Sequence, residues 1–252
     1  MLAMAFCSPM QAQQPCVLPA YAHNDYENRR PLLDAIEAGY AGVEVDYFLV
    51  GGRLLVGHDR SQLSRDRTLQ SLYLDPLRRL TGKPPYLCGP NRRFLLNIET
   101  KQSSQPAFDS LRALLDRYPD LFGPQGSVDA ILVGWTPPLD SLGDSRIQFR
   151  VESGNHLDSV PPDPRVALIS VRYRDLFRWN GRGITTNEFG WVLDSLVHLT
   201  RRKPGRRLRI YEVPYNADLY RALLDGGVDL LGIKDLERGR RLLVELGLPR
   251  KR

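Results

Sequence analysis

No apolar run in this 252-residue chain approaches the roughly 20 residues that a membrane-spanning helix requires, so a soluble mature protein is expected. Cysteine is scarce, with only three residues, and no His-x-x-x-His spacing occurs among the four histidines. Both absences argue against a zinc site. No low-complexity linker divides the chain, and no glycine-rich phosphate loop follows the first strand-like segment, which argues against a dinucleotide-binding open sheet. Lys plus Arg total 35 against 29 Asp plus Glu, a net charge of +6 that favours anionic partners. The basic clusters at 201–203, 206–207, 240–241 and 250–252 have no aromatic residues between them, so they read as solvated helix ends and loops. No nucleic-acid partner is expected.

Residues 1–14 resemble the tail of a secretory signal, with a short apolar stretch and a small residue at Ala12, but lack a positive leading region. The expectation is an exported protein, periplasmic or secreted, with a cytoplasmic location as the alternative. Cys7 would leave with the signal. Cys16 and Cys88 would then either pair in an oxidising compartment or remain two free thiols.

From residue 15 onward, strand-type and helix-type patterns alternate to the end, giving one domain over 15–252. Strands are predicted at 17–22, 42–50, 94–99, 129–134, 147–151, 166–171, 208–213 and 228–233. A hairpin excursion through Gly51-Gly52 leads to 54–56. Helices are predicted at 30–39, 68–80, 107–118, 187–199, 217–226 and 237–246. Eight strands with crossovers in about 250 residues fit an α/β fold, a single (β/α)8 barrel of the TIM type, whose strand ends gather around one mouth.

Those strand ends are where the chemistry collects. The first runs into His23-Asn24-Asp25, the second carries Glu44-x-Asp46, the hairpin ends in Gly57-His58-Asp59, and the next strand closes on Glu99-x-Lys101. Residues two apart on a strand share a face, so Glu44 and Asp46 point the same way, as do Glu99 and Lys101. Carboxylates crowded inside a barrel are costly unless a cation lies between them or each finds a basic partner such as Lys101. Three oxygen donors favour one hard divalent cation, Mg²⁺ or Ca²⁺. His23 and His58 fit a general acid and base because imidazole titrates near neutral pH, with Asp25 and Asp59 as candidate orienting groups. Lys101 is placed to donate to an anionic oxygen. Glu212 is a weaker candidate for substrate contact, Trp135 and Tyr173 are expected to pack the rim, and His156 and His198 receive no role.

In order and spacing, these motifs resemble the phospholipase C-like phosphodiesterase superfamily, above all the glycerophosphodiester phosphodiesterases and the sphingomyelinase D-like enzymes. The run His-Asn-Asp-Tyr, then Pro-Leu-x-x-Ala-x-x-x-Gly, Val-Glu-x-Asp, Leu-Leu-Val-Gly-His and Leu-Tyr-Leu-Asp-Pro-Leu is most similar to the branch containing the "altered inheritance of mitochondria" protein. The likeness covers residues 20–101 and returns at 226–229 and 235–236. It implies a (β/α)8 barrel with one divalent cation on Glu44, Asp46 and Glu99, and His23 and His58 as the acid/base pair. Two departures touch the substrate pocket: Asn24-Asp25 replaces the commoner Arg-Gly, and Tyr211-Glu212-Val213-Pro214 replaces Trp-Thr-x-Asn.

The expected activity is therefore metal-dependent hydrolysis or cyclisation of a glycerophosphodiester or lysophospholipid-like substrate, with Asn24 and Lys101 contacting it. A monomer with at most transient contact to a membrane surface is expected. The alternatives are a metal-free glycoside hydrolase using Glu99 and Glu212, and a catalytically silent barrel that binds a phosphorylated or sugar ligand.

Overall fold

A computed structural model describes residues 16–81, 87–88, 92–135, 137–138, 149–153, 163 and 165–249. The strands are β1 (Leu18–Ala22), β2 (Tyr40–Val50), β3 (Arg53–Val56), β4 (Phe94–Thr100), β5 (Val128–Gly134), β6 (Phe149–Ser153), β7 (Leu168–Arg172), β8 (Arg207–Tyr211) and β9 (Leu230–Ile233). The helices are α1 (Leu33–Glu37), α2 (Asp75–Thr81), α3 (Gln105–Leu115), α4 (Pro119–Phe122), α5 (Tyr173–Leu176), α6 (Asn187–Arg201), α7 (Ala217–Asp225) and α8 (Leu236–Glu245). This is an α/β fold. Its parallel sheet curls in the order β1-β9-β8-β7-β6-β5-β4-β2, β1 also pairs with β2, and β3 lies antiparallel on β2. The arm 1–14, residues 82–86 and 89–91 of the expected surface loop, and His156 lie outside the described residues.

The two-residue period of the strands sorts side chains between two environments. On β4, Phe94, Leu96 and Ile98 join the main core beneath the helices, whereas Leu95 belongs to a small inner cluster with Tyr21, Ile131, Leu168 and Leu230. Asn97 and Glu99 share the face of Leu95. By the same parity, Ser170 and Arg172 follow Leu168, and Gly232 follows Leu230. The inner face is thus apolar at the start of the strands and polar towards their ends. Burial of a side chain such as Leu96 or Leu223, both fully buried, stabilises the fold by about 1.5–3 kcal/mol.

Helix α6 is capped by the Thr186 hydroxyl, α7 by the Asn216 carboxamide and α8 by the Asp235 carboxylate, each accepting from a first-turn backbone N–H. Gly51 and Gly52 both have positive φ, as a two-residue hairpin turn requires, and this sets the register Val50 opposite Arg53. The predicted helix over 30–39 shortens to Leu33–Glu37. The Leu32 N–H donates to the buried Asp25 carboxylate at 2.5 Å, and Leu32 adopts φ 67°, outside helical space. The helix expected over 68–80 begins with a π-helical stretch, Gln70–Leu74, before α2. Cys16 and Cys88 are joined in a disulfide that ties the start of β1 to the loop after α2. No helix among the described residues is long and apolar enough to cross a membrane.

Candidate active site

Strand register brings the carboxylates together. β2 and β4 pair so that Glu44 lies opposite Asn97 and Asp46 opposite Glu99, with all four side chains on the inner face. One oxygen from each of Glu44, Asp46 and Glu99 lies within 4.8 Å of the others. β1 pairs Ala22 with Val43, which sets His23 beside Glu44, with Nε2 3.4 Å from Oε1. The β2–β3 hairpin folds back so that the Gly57 N–H donates to the Asp46 carbonyl at 3.2 Å. His58, the next residue, therefore stands over Asp46, its Nδ1 3.0 Å from Oδ2.

The two oxygens of Asp46 are used unequally. Oδ2 accepts from Tyr26 Oη at 2.6 Å and contacts His58 Nδ1 and Lys101 Nζ, each at 3.0 Å. Oδ1 is buried and has no hydrogen-bond partner. Lys101 Nζ also donates to Glu99 Oε1 at 2.7 Å. On the far side of Glu44, Arg209 from β8 donates through Nη2 to Oε2, donates through Nε to the Tyr21 hydroxyl, and lies over the Tyr21 ring at 4.1 Å. Gly232 makes room there, since a Cβ at that position would meet the Tyr21 hydroxyl at 2.6 Å.

Burial pushes the Glu44 carboxyl above its ordinary range, and the Asp46 and Glu99 charges add to this while Arg209 opposes it. Burial and then Arg209 lower the His23 imidazole to about 4, so it is neutral near pH 7. Burial followed by the Asp46 charge raises the Tyr26 phenol. For Lys101, burial opposes the charge, but Asp46 and Glu99 more than offset it and hold the ammonium above the usual lysine range. Three carboxylates against Lys101 and Arg209 leave one negative charge and one orphaned buried oxygen, a donor set that suits a hard divalent cation.

These groups floor a cavity of about 800 Å³ at the C-terminal ends of the strands. Seven predicted site residues lie in or under it: His23, His58, Glu44, Glu99, Asn24 and Lys101 line it, and Asp46 lies beneath with Oδ2 on Lys101. Asn24 has φ 52° and its Nδ2 donates to Glu27 Oε1 at 3.3 Å.

Two orienting roles are corrected. Asp25 is buried away from His23 and accepts from the Leu32 N–H and, at 3.0 Å, from Tyr73 Oη. Asp59 caps the turn Arg60–Gln62 rather than holding His58. The carboxylates of Glu44 and Asp46 take those places, beside His23 and His58 respectively. Glu212 lines the cavity at φ 54°, with Oε2 3.4 Å from Arg172 Nε and 3.5 Å from Arg174 Nε. Tyr173 is buried against Phe177 and Trp135 packs on the core, as expected of rim residues. His198 is exposed on α6.

Sequence reasoning missed Arg209, Arg172, Tyr26 and Asn97. Arg209 and Asn97 carried a signal: each is a polar residue flanked by apolar ones in a strand covered on both faces, where a polar side chain needs a specific partner. Tyr26 lies in a short 3₁₀ turn, Asp25–Glu27, whose direction no periodicity encodes.

The family described as AIM6-like phosphodiesterase domain matches residues 12–87. The altered inheritance of mitochondria protein 6 homolog of Arthroderma benhamiae is 35% identical over 96 residues, 34% of this chain and 31% of that protein. Altered inheritance of mitochondria protein 6 of Eremothecium gossypii is 28% identical over 267 aligned residues, 88% of this chain and 69% of that protein. In fold, the chain is similar to the glycerophosphodiester phosphodiesterase of Agrobacterium tumefaciens, with a TM-score of 0.53 and 13% identity over 88% of this chain and 97% of that one. The resemblance to the phospholipase C-like phosphodiesterase superfamily, and within it to the branch of altered inheritance of mitochondria protein 6, is thereby shown in sequence and in fold.

Proposed function

We propose that this protein is a metal-dependent phosphodiesterase on a (β/α)8 barrel, which hydrolyses or cyclises a glycerophosphodiester or lysophospholipid-like substrate. The observation that carries the reading is the buried Asp46 Oδ1, left without a hydrogen bond among three carboxylates. Glu44, Asp46 and Glu99 would hold one Mg²⁺ or Ca²⁺, which when bound supplies charge stabilisation at a non-bridging phosphate oxygen.

The chain's own groups have separable tasks. Asp46 Oδ2 accepts the proton on His58 Nδ1, so that in the doubly protonated ring the proton available for transfer is the one on Nε2. His58 Nε2 is then the nitrogen that gives a proton to the leaving alkoxide. His23, kept neutral by burial, takes the proton of the attacking hydroxyl at Nε2 beside Glu44. Lys101 Nζ donates towards the phosphate oxygens as their charge grows. The Cys16–Cys88 bond supports an exported location, because such bonds persist in oxidising compartments.

A panel of phosphodiesters assayed with Mg²⁺, Ca²⁺ or chelator tests reaction class and metal together. Turnover that requires a divalent cation and falls by about 10²–10⁴-fold in His23→Ala and His58→Ala, with the fold intact by circular dichroism, is the expected result. Undiminished turnover in chelator removes the mechanism.

A further inference from the structure

Beyond the reacting phosphodiester, the cavity is built for a second negative group. Its lining includes Lys101, Arg172, Arg209 and Lys234. Lys101 and Arg209 are committed to the carboxylates of the floor. Arg172 and Lys234 stand at the ends of β7 and β9 and make no contact with those carboxylates, Lys234 Nζ lying 2.9 Å from Glu27 Oε2. β7 is four strand pairings from β2 whichever way the sheet is followed, so Arg172 faces the carboxylates across the mouth.

The Arg172 environment leaves charge to spare. Its Nε is buried and makes no hydrogen bond, standing only in ionic contact with Glu212 at 3.4 Å. Glu212 is shared with Arg174, so one carboxylate faces two guanidinium groups. The Tyr211 ring, which would be the natural face for a quaternary ammonium, already has Arg172 at 5.6 Å and Arg209 at 5.1 Å. A cationic headgroup there would meet like charge. An anionic one would be attracted by the guanidinium charge that Glu212 alone does not balance.

We propose that Arg172, assisted by Lys234, forms a second anion subsite, so that the preferred substrate is a phosphodiester whose alcohol portion carries a further phosphate or carboxylate. The proposal rests on the phosphodiesterase reading for the first anion, but the subsite itself can be measured without turnover.

Calorimetric titration of inorganic phosphate into the full chain in chelator reads the subsite directly. Arg172→Gln should weaken binding at least tenfold, Lys234→Gln severalfold, and Arg172→Lys should recover most of the loss. In turnover with a divalent cation, glycerophosphoglycerol bearing a terminal phosphomonoester should exceed plain glycerophosphoglycerol in kcat/KM by about tenfold, and glycerophosphocholine should rank last. Arg172→Gln should erase that order while retaining activity on plain glycerophosphoglycerol. Phosphate affinity unchanged in Arg172→Gln, or in Lys234→Gln should the first variant misfold, overturns the proposal, as does a preference for glycerophosphocholine. Absence of any diester turnover would instead strike the phosphodiesterase reading and leave the calorimetric result to decide the anion site.

Discussion

Arg209 on β8 donates through Nη2 to Glu44 Oε2 on β2, a contact between side chains 165 residues apart and both almost fully buried. A buried pair of this kind is costly to break on one side, because the remaining charge has no water to turn to.

Arg209→Met should therefore destabilise the protein by about 3–5 kcal/mol, measured as the shift in urea midpoint at constant slope. The double variant Arg209→Met with Glu44→Gln should recover at least half of that loss while remaining inactive. A single variant as stable as the parent would show that the pair contributes nothing to folding.

Cation binding should stabilise the folded chain. At a hundredfold excess over Kd the gain is about 2.7 kcal/mol, or roughly 5–10 °C in Tm for a chain of this size. Differential scanning fluorimetry with Mg²⁺ or Ca²⁺ should show the rise in the parent and lose it in Asp46→Asn. Glu99→Gln, at the less buried corner of the triad, should reduce it. An equal rise in Asp46→Asn would place the cation elsewhere.

Asp25 makes stability depend on pH with an uncommon sign. Burial lifts its carboxyl from 3.8 to about 6, against the pull of the Leu32 N–H, Tyr73 and Asn28. Between those values the native state holds the proton more firmly than the unfolded chain, so this group's contribution falls as pH rises from about 4 to about 6. The full effect is roughly 3 kcal/mol. Urea titrations at pH 4, 5 and 6 should show that component in the parent and not in Asp25→Asn. Parallel pH profiles of the two proteins would contradict it.

The Cys16–Cys88 bond closes a separation of 72 residues. Chain entropy alone assigns such a closure about 4 kcal/mol. Dithiothreitol, or the Cys16→Ser and Cys88→Ser pair, should lower the urea midpoint accordingly. A midpoint insensitive to reductant would show that the staple carries no stability.

Much of the arrangement was legible because parallel strands alternate strictly. Glu44-x-Asp46 and Glu99-x-Lys101 announced a shared face from spacing alone, and the Gly51-Gly52 turn announced the hairpin that returns His58 to Asp46. Asp25 misled for the same local reason: its proximity to His23 in sequence suggested an orienting contact. A 3₁₀ turn instead sends its carboxylate into the core towards Leu32 and Tyr73.

The sequence by itself determined the alternation of strands and helices, the inward parity of the ionisable residues and their likeness to phosphodiesterases, because period and motif order are local properties of the chain. Only the tertiary structure decided that Asp46 aligns with Glu99, that Arg209 answers Glu44 across the sheet, and that Arg172 and Arg174 share the single carboxylate of Glu212 at the mouth. Those facts depend on strand register and on the curl of the sheet, which bring distant residues within a few ångströms and which no local pattern encodes.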